Sequence, residues 1–373
     1  MAGRKFKIAF STIGTVQLIT FLKLVFTYKV YPRYYWRCFI AGLISLISEP
    51  FRWLELGIYS EKLSKVKMPG SPVFIIGHWR SGTTFMHNAI AQDKQFAFIN
   101  TYHSVFTNQF FVSRWLFKPL MKLLLPEKRP ADNVLLSLEL PQEEGIALSN
   151  MNSLGFYNFF YFPKDWKSFY MKYINGAGSS PKQLDEYGRR YKRLIAQALI
   201  EYDRKEFISK FPPNTGYIRH LLKLFPDAKF IYTYRNPMMV YHSTVHFFEA
   251  THEALKLQPF EKPDFEEMVF ELYELLIRDY EAQKSLIPKE NLVEIKYEDF
   301  QKDPLEGLRH VYLALGLKGF DQALPAFANY VNEQKKFEKA SHSFDSEEVE
   351  RIRTRLDFAF KLYGYGTEVN QER

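Results

Sequence analysis

The stretch Pro72-Val73-Phe74-Ile75-Ile76-Gly77-His78-Trp79-Arg80-Ser81-Gly82-Thr83-Thr84-Phe85-Met86-His87-Asn88 decides the fold. Val73 to Ile76 is a short apolar run rich in β-branched residues, the length of a buried strand. Gly77 breaks it, and Gly82 follows five residues later. From Thr83 the spacing turns helical, with Phe85, Met86, Ala89 and Ile90 able to share a face. Strand, glycine-bounded loop and helix start together form a cradle for a phosphate. Loop N–H groups converge there, and the positive end of the helix dipole favours an anion.

The interval from Gly77 to Gly82 fits the nucleoside-triphosphate loop G-x-x-x-x-G-K-[ST], and Thr84 stands where a Mg²⁺-binding hydroxyl would be. Thr83 occupies the lysine position, which disfavours an ordinary kinase or ATPase. The cation has moved inside the loop as Arg80. Such a loop is expected to hold a 5′-phosphate without the γ-phosphate and Mg²⁺ apparatus.

Composition narrows the setting. A chain of 373 residues can bury a full core, and one large domain with an appendage is the natural expectation. The 35 Phe and 24 Tyr offer extensive apolar surface for a core, a hydrophobic substrate, or both. A net charge of +8 suits anionic partners: a nucleotide, a nucleic acid or an acidic lipid surface. No arginine-rich tract, zinc spacing or RNA-binding signature is present, so no nucleic acid partner and no metal are expected. The single cysteine, Cys38, excludes an internal disulfide and fits a reducing compartment.

Residues 1–68 read as a helical N-terminal extension, joined through Met68-Pro69-Gly70-Ser71-Pro72 to a main domain over residues 69–373. Arg4, Lys5 and Lys7 precede an uncharged run from Ile8 to Leu22, and Cys38 to Ser48 is a second. Between them lies the aromatic and basic belt Tyr28 to Arg37. Neither run reaches the ~18–20 residues of a spanning helix. The expectation is amphipathic helices in residues 1–50 that lie on a membrane surface, with packing onto the main domain as the alternative.

Further along, Phe96 to Ile99, Phe207 to Lys210, Lys229 to Thr233 and Asn291 to Lys296 read as strands separated by helical segments. Phe156 to Trp166 holds seven aromatics in eleven residues, an insertion suited to a greasy pocket or lid. The alternation predicts an α/β, P-loop-like three-layer fold with a central parallel sheet flanked by helices.

Three separated stretches resemble the sulfotransferase family that uses 3′-phosphoadenosine 5′-phosphosulfate (PAPS). Gly77 to Thr84 is similar to the family's 5′-phosphosulfate loop in its Arg-Ser-Gly-Thr-Thr form. Arg235-Asn236-Pro237, with Ser243 eight residues after Arg235, looks like its 3′-phosphate motif. Lys210-Phe211-Pro212-Pro213-Asn214-Thr215 followed by Leu224 to Ile231 resembles the segment before the 3′-phosphate strand in the bacterial and Golgi-type branches. Tyr297-Glu298-Asp299 with Asp303-Pro304 resembles a later strand and helix. The resemblance spans roughly residues 72–335 and implies PAPS as donor, its desulfonated product 3′-phosphoadenosine 5′-phosphate (PAP), and no metal. Arg80, Ser81, Gly82, Thr83 and Thr84 would hold the 5′ side, and Arg235 and Ser243 the 3′-phosphate.

Sulfuryl transfer needs charge at the equatorial and leaving oxygens, which Arg80 and Lys210 can supply. The attacking hydroxyl needs a base. His103, 23 residues after Arg80, lies close to where relatives place one, and Glu143 and Glu144 are rivals in a segment resembling a Pro-Gln-Glu stretch of bacterial relatives. His78 is read as facing out of the loop and His87 as mid-helix, and Asn214 and Tyr217 stand where relatives often carry histidine and arginine. The expected acceptor is a hydrophobic alcohol such as a sterol or lipid, with a carbohydrate or peptide acceptor as an alternative. The expected location is cytoplasmic, peripheral on a membrane's cytoplasmic face. The rival from another class is a non-catalytic nucleotide-binding module at a membrane surface.

Overall fold

A computed structural model describes residues 15–124, 137–334 and 345–366. The chain divides into two compact units. A sheet unit comprises Pro69–Phe98, Glu201–His246 and Lys262–Arg373, and a helical unit comprises Met1–Met68, Ile99–Ile200 and Phe247–Glu261.

Five strands build the sheet unit: β1 (Val73–Ile76), β2 (Phe96–Ala97), β3 (Glu206–Lys210), β4 (Lys229–Tyr234) and β5 (Leu292–Lys296). All pair in parallel in the order β2-β3-β1-β4-β5. Parallel strands are covered on both faces, which is why β1 reads as an unbroken apolar run and all four of its residues are buried. Val73 and Ile75 join Ile208, Ile231, Val293 and Ile295 on one face, against Met86 and Ile90 and against Leu308 and Val311 of the helix Pro304–Ala314. The opposite face carries Phe74, stacked on Phe230 at 5.6 Å, and Tyr232, stacked at 3.8 Å on Tyr280 of the helix Lys262–Gln283. Each such apolar side chain contributes ~1.5–3 kcal/mol on burial.

The sequence places β1 at its observed ends and the other strands within a residue or two. β2 is the shortest: the expected run to Ile99 stops at Ala97. The Ile99 carbonyl is claimed by the Gln142 N–H at 2.7 Å. Asn100 then caps the helix Thr101–Phe106 by accepting the His103 N–H at 2.8 Å, so the chain leaves the ladder.

The helical unit starts with Leu18–Thr27 and the long helix Tyr35–Ser64. The Glu49 carboxylate accepts the Leu18 N–H at 2.8 Å and is gripped by Arg52 Nε at 2.8 Å, tying the two helices together. Arg4, Lys5, Lys7 and the first part of the Ile8–Leu22 run lie outside the described residues. The aromatic insertion Phe156–Trp166 is not a lid. Its seven rings are buried, Phe159 stacking on Phe160 at 4.2 Å and meeting Phe248 edge-on at 5.3 Å. Rings this large cover more apolar area inside a core than a surface flap could, and here they are part of the unit's core.

Candidate nucleotide-binding site

β1 delivers the chain to Gly77, where φ is +135°. A Cβ there would lie 2.2 Å from the Thr233 carbonyl oxygen, so only glycine fits. The loop is sewn to the strands on either side. Gly77 N–H donates to Thr215 Oγ1 at 2.7 Å, just past β3, and the same hydroxyl donates back to the Gly77 carbonyl at 3.2 Å. The Ser81 hydroxyl donates to the His78 carbonyl at 2.7 Å and sits 3.0 Å from Thr233 Oγ1 on β4. Gly82 ends the loop at φ +96°, its missing Cβ leaving room for the Tyr297 ring, which a Cβ would meet at 2.1 Å. Gly82 also caps the helix Thr83–Ile90 without a side chain, which leaves the first-turn N–H groups to an anion. Arg80 adopts φ +66°, a left-handed conformation costing ~1 kcal/mol or more in a non-glycine residue.

That backbone strain aims the arginine. Arg80 Nε donates to Ser243 Oγ at 2.7 Å, joining residues 163 apart in sequence. The 5′-loop cation and the expected 3′-phosphate hydroxyl are therefore direct neighbours. Arg235, at the end of β4, lies with its guanidinium 4.7 Å above the Tyr297 ring. Its Nε is buried and has no hydrogen-bond partner among the described residues, and no ion pair with Asp227 forms. Tyr297 thus touches both halves of the site. Lys210, at the end of β3 opposite Ile75, is 3% exposed.

Of the two histidines of this unit, His78 corrects the sequence reading and His87 lies within its helix as expected. His78 does not face outward: it is buried, its Nδ1 lies 3.0 Å from the Trp79 carbonyl and its ring packs on Tyr273 at 4.6 Å. Burial pushes its pKa down to about 4. His87 sits in the last turn of the cradle helix, buried against Phe98. Burial first, and then the positive charge of Lys210, hold it well below the usual histidine range. Asn214 and Tyr217 are both buried, and Tyr217 stacks on His220 at 4.5 Å.

The base candidates belong to the helical unit. His103 is fully buried, stacked on Phe110 at 4.0 Å, with Nε2 3.3 Å from Gln197 Oε1. Burial lowers its pKa to about 3, with the Gln197 bond opposing and Arg114 adding to the shift. Glu144 is fully buried in the first turn of the helix Glu144–Met151. Glu143, just before it, is partly exposed and accepts a hydrogen bond from the Tyr157 hydroxyl.

Sequence reasoning overlooked Thr215, Thr233, Tyr297 and Glu298 as builders of this site. Glu298 Oε1 accepts the Asn236 N–H at 3.0 Å and Oε2 accepts the Tyr365 hydroxyl at 2.6 Å, setting the turn that carries Arg235. The Tyr-Glu-Asp triplet at the end of β5 was the available signal.

A sequence profile described as "Sulfotransferase family" matches residues 72–322. The omega-hydroxy-beta-dihydromenaquinone-9 sulfotransferase Stf3 of Mycobacterium bovis and that of Mycobacterium tuberculosis are each 28% identical over 313 residues, 84% of this chain and 80% of the relative. Among solved structures, the sulfotransferase STF9 from Mycobacterium avium superposes with a TM-score of 0.64 at 15% identity, covering 84% of this chain and 81% of that one. STF1 from Mycobacterium tuberculosis gives 0.60 at 17% identity, covering 86% and 84%.

Proposed function

Because the chain belongs to the sulfotransferase family, we propose that it moves a sulfuryl group from PAPS to the hydroxyl of a hydrophobic acceptor, a lipid or other apolar alcohol. The observation that supports the donor half is the Arg80–Ser243 hydrogen bond at 2.7 Å, which brings residues of the two distant motifs into contact. The residues fit a nucleotide with phosphates at both ends. The cradle is closed to any Cβ at Gly77 and Gly82, the helix after it lacks a capping side chain, and Arg235 offers a buried Nε with no hydrogen-bond partner among the described residues.

In this reading residues 69–373 are the catalytic domain and residues 1–68 an attachment. Arg80 and the N–H groups of Thr83 and Thr84 hold the 5′ side. The Ser81 hydroxyl, already engaged with His78 and Thr233, shapes the loop instead of reaching for the ligand. Arg235 and Ser243 hold the 3′-phosphate, Arg235 through its two-pronged guanidinium. PAPS supplies the sulfuryl group and departs as PAP. Lys210, desolvated at the strand end, contributes positive charge where the equatorial and leaving oxygens gather negative charge. For the proton of the acceptor hydroxyl we choose Glu143. It is accessible, whereas Glu144 and His103 are wholly buried, and an imidazole held near pKa 3 accepts a proton poorly.

The hydrophobic acceptor rests on the Stf3 relatives, whose name specifies a hydroxylated dihydromenaquinone. The aromatic insertion no longer supports it, since those rings are core. A cytoplasmic location is proposed from cysteine usage alone, since a chain with the single cysteine Cys38 suits a reducing compartment.

Calorimetric titration with PAP beside ATP–Mg²⁺ tests the donor: tight PAP binding supports the reading, and binding of ATP alone restores a kinase. Glu143→Gln is expected to lower kcat about 100-fold or more with PAP affinity unchanged. Transfer at the wild-type rate by that variant removes Glu143 from the mechanism. Absence of any transfer by the wild-type protein alongside intact PAP binding favours the non-catalytic module.

A further inference from the structure

The long helix Tyr35–Ser64 is built inside out. Through its first six turns it buries Ala41, Ser45, Ser48 and Glu55, all small or polar. Glu55 is fully buried because its carboxylate accepts the N–H groups of Phe111 and Val112, each at 3.0 Å. Burial raises its pKa, while those two hydrogen bonds pull the other way. Facing away from this seam are Phe39 (73% exposed), Ile40, Leu43, Ile47, Trp53 (63%) and Ile58. From Phe39 to Ile58 the apolar face runs ~30 Å at 1.5 Å per residue. Singly exposed apolar side chains are ordinary, but a continuous stripe opposite a polar seam reverses the usual amphipathic order.

A second apolar surface adjoins it. The helix Arg114–Leu124 meets the long helix through Phe117, whose ring lies edge-on to Phe51 at 5.6 Å, and it exposes Trp115 (73%) and Leu123 (82%). Arg52, whose guanidinium lies 4.4 Å from the Trp53 ring, is paired with Glu49, and Lys118 with Glu139. The cations that remain beside the stripe are Arg37, its guanidinium 5.4 Å from the Trp36 ring, with Arg33 and Lys122. The helix's acids are already committed: Glu49 to Arg52 and the Leu18 N–H, Glu55 to the buried amides, Glu61 to Lys65. Among the described residues no helix is long and apolar enough to cross a membrane.

We infer that this face seats in the plane of an anionic lipid bilayer, with the stripe from Phe39 to Ile58 and Trp115 among the acyl chains and the arginines and lysines at the headgroups. Tryptophan with arginine stacked against it suits that boundary, where one edge is apolar and the other wet. Charge decides between the candidate occupants. Pairing with a second copy would bring this cationic rim against itself, whereas anionic headgroups neutralise it. The inference stands independently of the sulfuryl chemistry.

Co-sedimentation of the full chain with vesicles tests it, using phosphatidylglycerol mixed into phosphatidylcholine and phosphatidylcholine alone. Binding to the anionic vesicles is expected to be at least about tenfold tighter and to weaken with salt, each surface cation adding about fivefold. Brominated acyl chains are expected to quench the tryptophan emission. The Ile47→Asp/Ile58→Asp variant is expected to lose at least about tenfold in vesicle affinity at an unchanged melting temperature. Arg33→Gln/Arg37→Gln is expected to flatten the salt dependence. Wild-type protein that stays in the supernatant, or aspartate variants that sediment like wild type, overturns the inference. So does a wild-type dimer, split by Ile47→Asp, that ignores vesicles: the face then belongs to a second copy.

Discussion

The phosphate cradle and the long N-terminal helix both break the rule that sorts apolar residues inward and polar ones outward, and they break it in opposite directions. In the cradle, Lys210, His78, Ser81 and Thr83 are all buried, while Arg80 holds a strained backbone to reach Ser243. In the helix, serines and a glutamate are buried while phenylalanine, isoleucine and tryptophan face outward. On the functions proposed above, the polar groups drawn inside would hold a charged ligand, and the apolar groups left outside would meet lipid. The difference teaches that departures from hydrophobic sorting are where function is to be tested, and that their sign sets which partner to test: an anion at the first, a lipid surface at the second.

The contrast is easiest to break at the cradle. Gly77→Ala forces a Cβ to within 2.2 Å of the Thr233 carbonyl at φ +135°. It is expected to cost ~3 kcal/mol or more by urea unfolding and to abolish PAP binding. A stable, binding Gly77→Ala protein means the loop is not closed as described. Arg235→Ala is expected to weaken PAP binding by about 10- to 100-fold in calorimetry while leaving the unfolding curve unchanged. An equal loss of stability would recast Arg235 as a packing residue on Tyr297.

Acid sharpens the comparison from another side, because both units bury histidine. His78, near pKa 4, and His103, near 3, bind protons less readily folded than unfolded, where the value is ~6.5. His87 shifts the same way. The unfolded chain therefore takes up more protons, and the stability from keeping these rings neutral is complete above pH ~6.5. It is lost as pH falls from there toward the folded values, at up to about 1.4 kcal/mol per pH unit for each ring. His103→Gln is expected to flatten that acid limb in pH-dependent unfolding, and an unaltered limb would show that His103 is not held neutral. Ser45→Leu, an ordinary stabilising idea for a helix, is expected to cost ~1–3 kcal/mol because the seam is packed around small residues. The smallest effect belongs to Ile47→Asp, within about 0.5 kcal/mol of wild type in denaturant.

Much of the sheet unit was legible because its signals are local. β1 shows as a β-branched run bounded by Pro72 and Gly77, and the loop as a glycine interval with hydroxyls and one cation. The partnership of Arg80 with Ser243 was expected only as membership of one site, and the structure makes it a direct bond. Thr215, Thr233 and Tyr297 escaped notice because their contribution is to meet Gly77, Ser81 and Gly82 across the sheet, and nothing in their own neighbourhoods records that. His78 was misjudged for the same reason, since Tyr273, which covers it, lies far along the chain.

By itself, then, the sequence determined the parallel α/β class, the glycine-bounded loop after β1, the family and the absence of an internal disulfide, all properties carried by runs of adjacent residues or by composition. Tertiary structure alone decided which side of each element is the inside. It buried the aromatic insertion as core, neutralised His103, and turned the apolar stripe of the Tyr35–Ser64 helix outward. The physical reason is that hydrophobic periodicity tells that a helix has two faces, while only the partners packed against it, here the Phe111 and Val112 amides on Glu55, choose which face is buried.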